Sequence, residues 1–143
     1  MTSYDKVYDV FLGKILEDEW GEWTEEEVKR DLNSLMEAAI PWFKFPRVSL
    51  ERGQDGFVED LSNEEIQIIA TFMKCEWLNR TILTWENVKP LYDEKDFSQA
   101  NLLDKFKKML EQERKIARKL ESIYYRSING KPYKYRKWAG NNE

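Results

Sequence analysis

The chain has 143 residues and a formal net charge of −4, with 35% charged and 14% aromatic residues. A chain of this length forms one domain that buries about 70% of its unfolded surface, and this composition excludes a disordered protein. It contains no histidine, so the most common general base and metal ligand is absent. The single cysteine, Cys75, excludes an intramolecular disulfide and is expected to be a small core residue, not a nucleophile.

The N-terminal part of the sequence predicts two helices separated by an acidic break. Apolar residues at spacings of three and four predict the first helix over residues 4–16. Residues 17–22 are acidic and contain a glycine, which favours a break. Thr24 and Glu27 form a capping box, in which each side chain binds a backbone amide of the other residue, and this pattern predicts the start of the second helix. Pro41 ends it.

The next segment, residues 46–60, alternates polar and apolar residues around a turn at Gln54–Gly56. The pattern predicts a small β-hairpin or an extended loop. Because a two-stranded hairpin is marginally stable alone, it needs to pack on helices or on a neighbouring copy. We expect the hairpin to contribute an oligomer interface through four apolar side chains: Val48, Leu50, Phe57 and Val58.

Two further helices follow. Ser62 and Glu65 form a second capping box, which predicts a third helix running towards Leu83. Residues 84–97 suggest one short helical turn and a bend. Ser98 is the expected cap of a fourth helix, about 40 Å long at 1.5 Å per residue and longer than the core of one small domain requires. Its apolar stripe, interrupted by Glu113, consists of Phe106, Met109, Leu110, Ile116, Ala117, Leu120, Ile123 and Tyr124.

The sequence therefore predicts a mainly α fold, a small bundle of about four helices over residues 1–128. Residues 129–143 are expected to form an extended C-terminal arm, because the segment alternates cations with aromatic rings and has no apolar face of its own. A frayed terminus is the alternative. The expected partner-binding residues are Tyr133, Lys134, Tyr135, Arg136, Lys137 and Trp138 on the arm, with Tyr125 and Arg126 at the end of the fourth helix.

Charge is distributed unevenly along the chain. Residues 98–138 hold twelve basic and four acidic residues, whereas the remainder holds eleven basic and twenty-three acidic residues. Such polarity orders head-to-tail contacts between copies, or places one face on a charged partner. A solvated helix surface explains the same pattern and remains the alternative.

The sequence favours assembly over catalysis. We predict no enzymatic activity, no cofactor and no metal, since the acidic residues of 17–27 are largely explained by a helix start. A carboxylate–metal enzyme remains a minor alternative. The basic helix and arm support a second alternative, a nucleic-acid-binding or regulatory protein. We also expect no signal peptide and no membrane contact, because the apolar runs are too short.

One half of the chain, roughly residues 60–128, resembles the neck proteins of tailed bacteriophages. The resemblance is to the head–tail connector (adaptor, head-completion) proteins beneath the portal. The residues that carry it are Met73, Glu76, Trp77 and Leu78, the segment 95–101 (KDFSQAN), and Tyr124, Tyr125 and Arg126.

This resemblance implies a structural virion protein that is assembled in the host cytoplasm. It implies a homo-oligomeric ring, twelve-fold, that links the capsid to the tail. The partners would be the portal protein and a tail or stopper neck protein, and DNA would pass through the lumen. Residues 129–143 would be the docking arm.

Overall fold

The computed structural model describes residues 1–15, 21–88, 97–128 and 131–132, and these ranges contain four α-helices. The prediction of a mainly α fold with a long C-terminal helix is confirmed. The helices are α1 (Tyr4–Gly13), α2 (Glu25–Ala39), α3 (Asn63–Val88) and α4 (Phe97–Tyr125), and a 3₁₀ turn, Ile40–Trp42, follows α2.

Both predicted capping sites lie at helix starts. The Thr24 hydroxyl accepts a hydrogen bond from the Glu27 amide at 3.2 Å, directly before α2. At α3 the box is complete, because the Ser62 hydroxyl accepts from the Glu65 amide at 3.2 Å and the Glu65 carboxylate accepts from the Ser62 amide at 2.8 Å. Local capping chemistry thus fixes where α2 and α3 begin.

Three predicted helix boundaries differ from the structure. Helix α1 ends at Gly13, before the predicted residue 16. Helix α3 continues to Val88, so the separate turn predicted from residue 84 is wrong over 84–88, and residues 89–96 lie outside the described residues. Pro90 disfavours helical backbone only at the residue before it, which leaves Val88 free to be helical. Helix α4 begins at Phe97, so Ser98 is inside the helix and is not its cap.

The predicted turn at Gln54–Gly56 is present, but the segment over 46–60 is mainly an extended loop. The Val58 amide donates to the Glu51 carbonyl at 3.0 Å, and the Gly53 amide donates to the Gly56 carbonyl at 2.8 Å. The strand β2 (Gly56–Phe57) also pairs antiparallel with β1 (Thr2–Ser3) near the N-terminus. Pairing with β1 supplies the support that a short hairpin lacks alone.

The β1–β2 pair requires a glycine at position 56. A Cβ atom placed there would lie 2.2 Å from the Thr2 carbonyl oxygen, which is far inside van der Waals contact. The absence of a side chain lets the two backbones approach.

Helix α3 is the centre of the fold and contacts α1, α2 and α4. A helix segment that is apolar on several sides has to be covered on several sides, and residues 64–78 of α3 contain no exposed side chain. Its side chains with at most 1% exposed surface are Ile68, Ile69, Ala70, Thr71, Met73 and Leu78.

Helix α4 packs on α3 through a narrower face than the sequence predicted. The buried side chains recur at spacings of three, four or seven residues: Leu103, Phe106, Leu110, Ala117 and Tyr124. Glu113, predicted to interrupt this face, belongs to it, because its carboxylate lies 2.9 Å from the Lys74 ammonium and both side chains are mostly buried. Met109, Ile116 and Ile123 are exposed instead.

The start of the predicted arm is not extended away from the bundle. Strand β4 (Lys131–Pro132) pairs antiparallel with β3 (Ser127–Ile128), so the chain folds back directly after α4. Residues 133–143 lie outside the described residues.

We predict that Gly56→Ala lowers the free energy of unfolding by about 1–3 kcal/mol, because the new methyl group forces β1 away from β2. Gly13→Ala is the matched control, since a Cβ at Gly13 meets nothing within 4 Å. Urea unfolding of the three chains measures both changes. Equal stabilities of the two variants would contradict the close approach of Gly56 to Thr2.

Candidate partner-binding surface

The segment over residues 43–47 crosses the C-terminal end of α4 and is held there by two neighbouring tyrosines. The Phe45 amide donates to the Tyr125 hydroxyl at 3.3 Å, and the Arg47 amide donates to the Tyr124 hydroxyl at 2.7 Å. Because this segment has no helix or strand to satisfy its amides, the two hydroxyls serve as its hydrogen-bond partners. The segment is thereby fixed to α4.

Tyr124 is the buried centre of this arrangement. Its hydroxyl donates to the Glu65 carboxylate at 2.8 Å, and Glu65 is itself buried. The Arg47 guanidinium lies 4.3 Å from the centre of the Tyr124 ring and donates to the Tyr124 carbonyl oxygen. Burial raises the pKa of Tyr124 to about 12; the Arg47 amide opposes this change, and the hydrogen bond to Glu65 adds to it.

Three exposed aromatic side chains lie close to this buried network in the sequence or in space. We call them the aromatic surface: Trp42, Phe45 and Tyr125, which are 53%, 70% and 42% exposed. The Phe45 and Tyr125 rings meet edge to face, with 6.0 Å between their centres. The Trp42 indole donates to Glu76 at 2.8 Å, and the Tyr125 hydroxyl donates to Glu121 at 2.7 Å. Both rings therefore have polar anchors on the long helices.

A cleft of about 580 Å³ opens beside Trp42, between the 3₁₀ turn, α3 and α4. Its lining combines aromatic rings with charges of both signs, which suits contact with a polar segment of another protein. The lining residues are Trp42, Lys44, Phe72, Cys75, Glu76, Asn79, Arg114, Arg118 and Glu121.

Cys75 lies on the wall of this cleft but is largely buried. Burial raises the pKa of its thiol to about 11, and the nearby Glu113 carboxylate acts in the same direction. The thiol is therefore protonated at neutral pH. Since the thiolate is the nucleophile, this environment suits a packing residue.

The structure places only some of the predicted partner-binding residues. Tyr125 belongs to the aromatic surface, and Arg126 is exposed directly after it at the end of α4. The six arm residues of 133–138 lie outside the described residues.

The predicted hairpin interface is partly wrong. Phe57 is 0% exposed, because the pairing of β2 with β1 turns its ring into the core, where it meets Tyr4 edge to face. Val48 and Leu50 are partly buried against the core. Val58 is the exposed member of the set.

Sequence reasoning missed Trp42 and Phe45. The signal was a run of apolar residues, IPWFKF, between a helix end and Pro46. Such a run is too short to show a helical periodicity. The sequence therefore does not predict whether its aromatic side chains are buried or exposed. Sequence reasoning also assigned Glu65 to the helix cap alone, since its second contact, with Tyr124, is 59 residues away.

Within the described residues, no group of three or more acidic or cysteine side chains is placed to hold a metal ion. The acidic cluster of 17–27 falls partly outside them. None of the described helices combines the length and apolarity required to cross a membrane. No protein-family model, curated protein or solved structure matches this chain.

We predict that Tyr124→Phe costs about 1–3 kcal/mol in free energy of unfolding, because it removes one of the two hydrogen bonds to the buried Glu65 carboxylate and the hydrogen bond from the Arg47 amide. Tyr125→Phe is the matched control one residue away. Its hydrogen bonds are exposed, so water replaces them and the cost stays within about 0.5 kcal/mol. Denaturant unfolding separates the two. Similar costs for both variants would show that the Tyr124 hydroxyl has no special role.

We predict that Cys75 reacts slowly with a thiol reagent in the folded protein. Its pKa is about 11 against an ordinary value of 9.0, so the thiolate fraction at pH 8 falls roughly a hundredfold. Below pH 11 the rate should rise about tenfold per pH unit. Labelling followed by mass, with the urea-unfolded chain as control, measures this. Equal rates in the folded and unfolded chains would contradict the raised pKa.

Proposed function

We propose that this chain is a structural virion protein, a head–tail connector (adaptor) of a tailed bacteriophage that forms a ring beneath the portal. The observation that carries the proposal is the aromatic surface at the end of the long helix α4. The proposed partners are the portal protein and a tail or stopper neck protein.

The composition of the aromatic surface supports a protein-binding role. Tryptophan, tyrosine and arginine are enriched at the centres of protein interfaces, because they bury large areas with few rotatable bonds. Trp42, Phe45 and Tyr125 expose such rings, those of Phe45 and Tyr125 are in edge-to-face contact, and Arg126 adds a cation at the same end of α4. An isolated domain gains nothing from exposing them together.

The rigidity of the surface supports the same role. Phe45 is on a segment without regular secondary structure, but the amides on both sides of Pro46 are bound to Tyr125 and Tyr124. A side chain that is already positioned loses less entropy when a partner binds. The hydrogen bonds to Tyr124 and Tyr125 therefore hold Phe45 in a position where a partner can bind it.

The position of the surface supports a connector in particular. The resemblance to connector proteins covers residues 60–128 and includes Tyr124, Tyr125 and Arg126. These residues form the base and the edge of the aromatic surface. In the proposed ring of twelve copies this end of α4 faces the portal, residues 129–143 continue the contact, and DNA passes through the lumen.

Nucleic-acid binding is the second candidate, and one observation favours it. Five exposed cations lie along one side of α4 and directly after its end: Lys105, Lys108, Lys115, Lys119 and Arg126. Their contact with phosphates would weaken steeply as salt increases. The aromatic surface lies at the end of α4 and not among these cations. This separation favours the connector over a nucleic-acid-binding protein.

We predict that the wild-type chain is present in purified virions of its phage at the copy number of the portal protein. A Phe45→Ala, Tyr125→Ala double variant should fold but be incorporated at least tenfold less, because its docking rings are lost. Quantitative mass spectrometry of particles made with each variant measures incorporation.

The matched control for this experiment is Leu83→Ala, which removes a side chain of similar exposure from α3. It should be incorporated normally. Absence of the wild-type chain from virions would overturn the connector proposal. Normal incorporation of the double variant would overturn the role of the aromatic surface alone.

A further inference from the structure

Helix α4 carries a second apolar line whose side chains remain partly exposed. We call it the outer stripe: Leu102, Met109, Ile116 and Ile123, which are 36% to 47% exposed. They are spaced by seven residues, or about two helical turns, so they form one line roughly 30 Å long. The residue after each, from Leu103 to Tyr124, belongs to the buried face against α3. The outer stripe therefore lies at the edge of the α3–α4 contact.

The solvent side of the outer stripe is basic. Residues three positions after its members are Lys105, Gln112, Lys119 and Arg126, and all four are exposed. The next line on the helix adds Lys108 and Lys115, with Asn101 and Ser122. We call the five cations of these two lines the basic margin; no acidic residue occurs at these eight positions. An apolar line with a margin of one sign selects a partner surface of the opposite sign.

An antiparallel pairing of two outer stripes does not satisfy this requirement. In an antiparallel pair of helices, the margin of one copy faces the same margin of the other. Lysines would then oppose lysines along the whole contact, and like charges at an interface cost affinity. The partner surface has to be acidic, and it has to offer apolar area.

The same chain has such a surface at the start of α2. Residues 21–27 are all exposed, and they include Glu22, Glu25, Glu26 and Glu27 around Trp23, which is 41% exposed. A shallow cleft of about 290 Å³ adjoins Trp23 and Glu27. Glu25 pairs with Lys29 at 3.5 Å, and Glu22 and Glu26 are also exposed.

We propose that the outer stripe and basic margin of one copy bind the acidic start of α2 on a second copy of this chain. The two surfaces are different, so the contact is head to tail, and repeated contacts close into a ring when the rotation between copies is suitable. This inference rests on the proposed function, because it names the lateral contact of that ring. In this proposal, the uneven distribution of charge along the chain serves the contact between copies.

Charge reversal with rescue tests the proposal on the purified full-length chain. The margin variant carries Lys105→Glu and Lys119→Glu, and the acid variant carries Glu22→Lys and Glu26→Lys. All four positions are exposed, so folding is unaffected. Each variant should associate at least tenfold more weakly than wild type in sedimentation velocity at about 100 mM salt. A chain that carries all four substitutions should regain association, because the two reversed surfaces match again.

The control for the margin variant is Lys6→Glu on α1 with Lys14→Glu directly after it, which changes the net charge by the same amount and should leave association unchanged. A wild-type chain that stays monomeric at millimolar concentration would overturn the proposal. Unchanged association of the single-surface variants would also overturn it. Loss in both without rescue in the combined chain would show that the two surfaces bind something other than each other. None of these outcomes depends on virion incorporation, so the connector proposal is judged separately.

Discussion

The hydrogen bond between the Glu65 carboxylate and the Tyr124 hydroxyl is the interaction on which most of the molecule's arrangement depends. Burying a carboxylate is costly unless donors surround it, and Glu65 has two, the Ser62 amide at 2.8 Å and the Tyr124 hydroxyl at 2.8 Å. One side chain therefore caps α3 and holds the end of α4. Through Tyr124 it also holds the backbone at Arg47. Three distant parts of the sequence meet at one carboxylate.

Two further polar contacts repeat this arrangement along the antiparallel α3–α4 pair. Lys74 and Glu113 form a mostly buried ion pair near the middle, and Glu86 meets Lys107 at 3.2 Å towards the other end. Apolar side chains alone allow one helix to slide along another by a turn. A buried charge has no partner after such a slide, so pairs of this kind specify register more than they add stability. A fixed register is what keeps Tyr125 beside Phe45.

The sequence predicts the parts of this fold that local chemistry decides. The starts of α2 and α3 follow from capping residues three positions apart, and the turn at Gln54–Gly56 follows from its composition. The parts that failed are decided by distant residues. Phe57 is buried because β1, more than fifty residues earlier, pairs with β2. In the same way, the apolar residues of α4 are more numerous than its buried face needs, and periodicity does not show which line α3 covers. Trp42 and Phe45 lie in a segment without helical or strand periodicity, so the sequence does not predict their exposure.

The exposed line on α4 and the aromatic surface at its end point in different directions. The outer stripe runs along the helix, so whatever binds it lies beside the bundle. Phe45 and Tyr125 of the aromatic surface lie at the C-terminal end of α4, so a partner of these two rings would contact that end. The ring that we propose would need both directions, one between copies and one along the axis. In that proposal a long α4 with a fixed register would supply both contacts from a single rigid element.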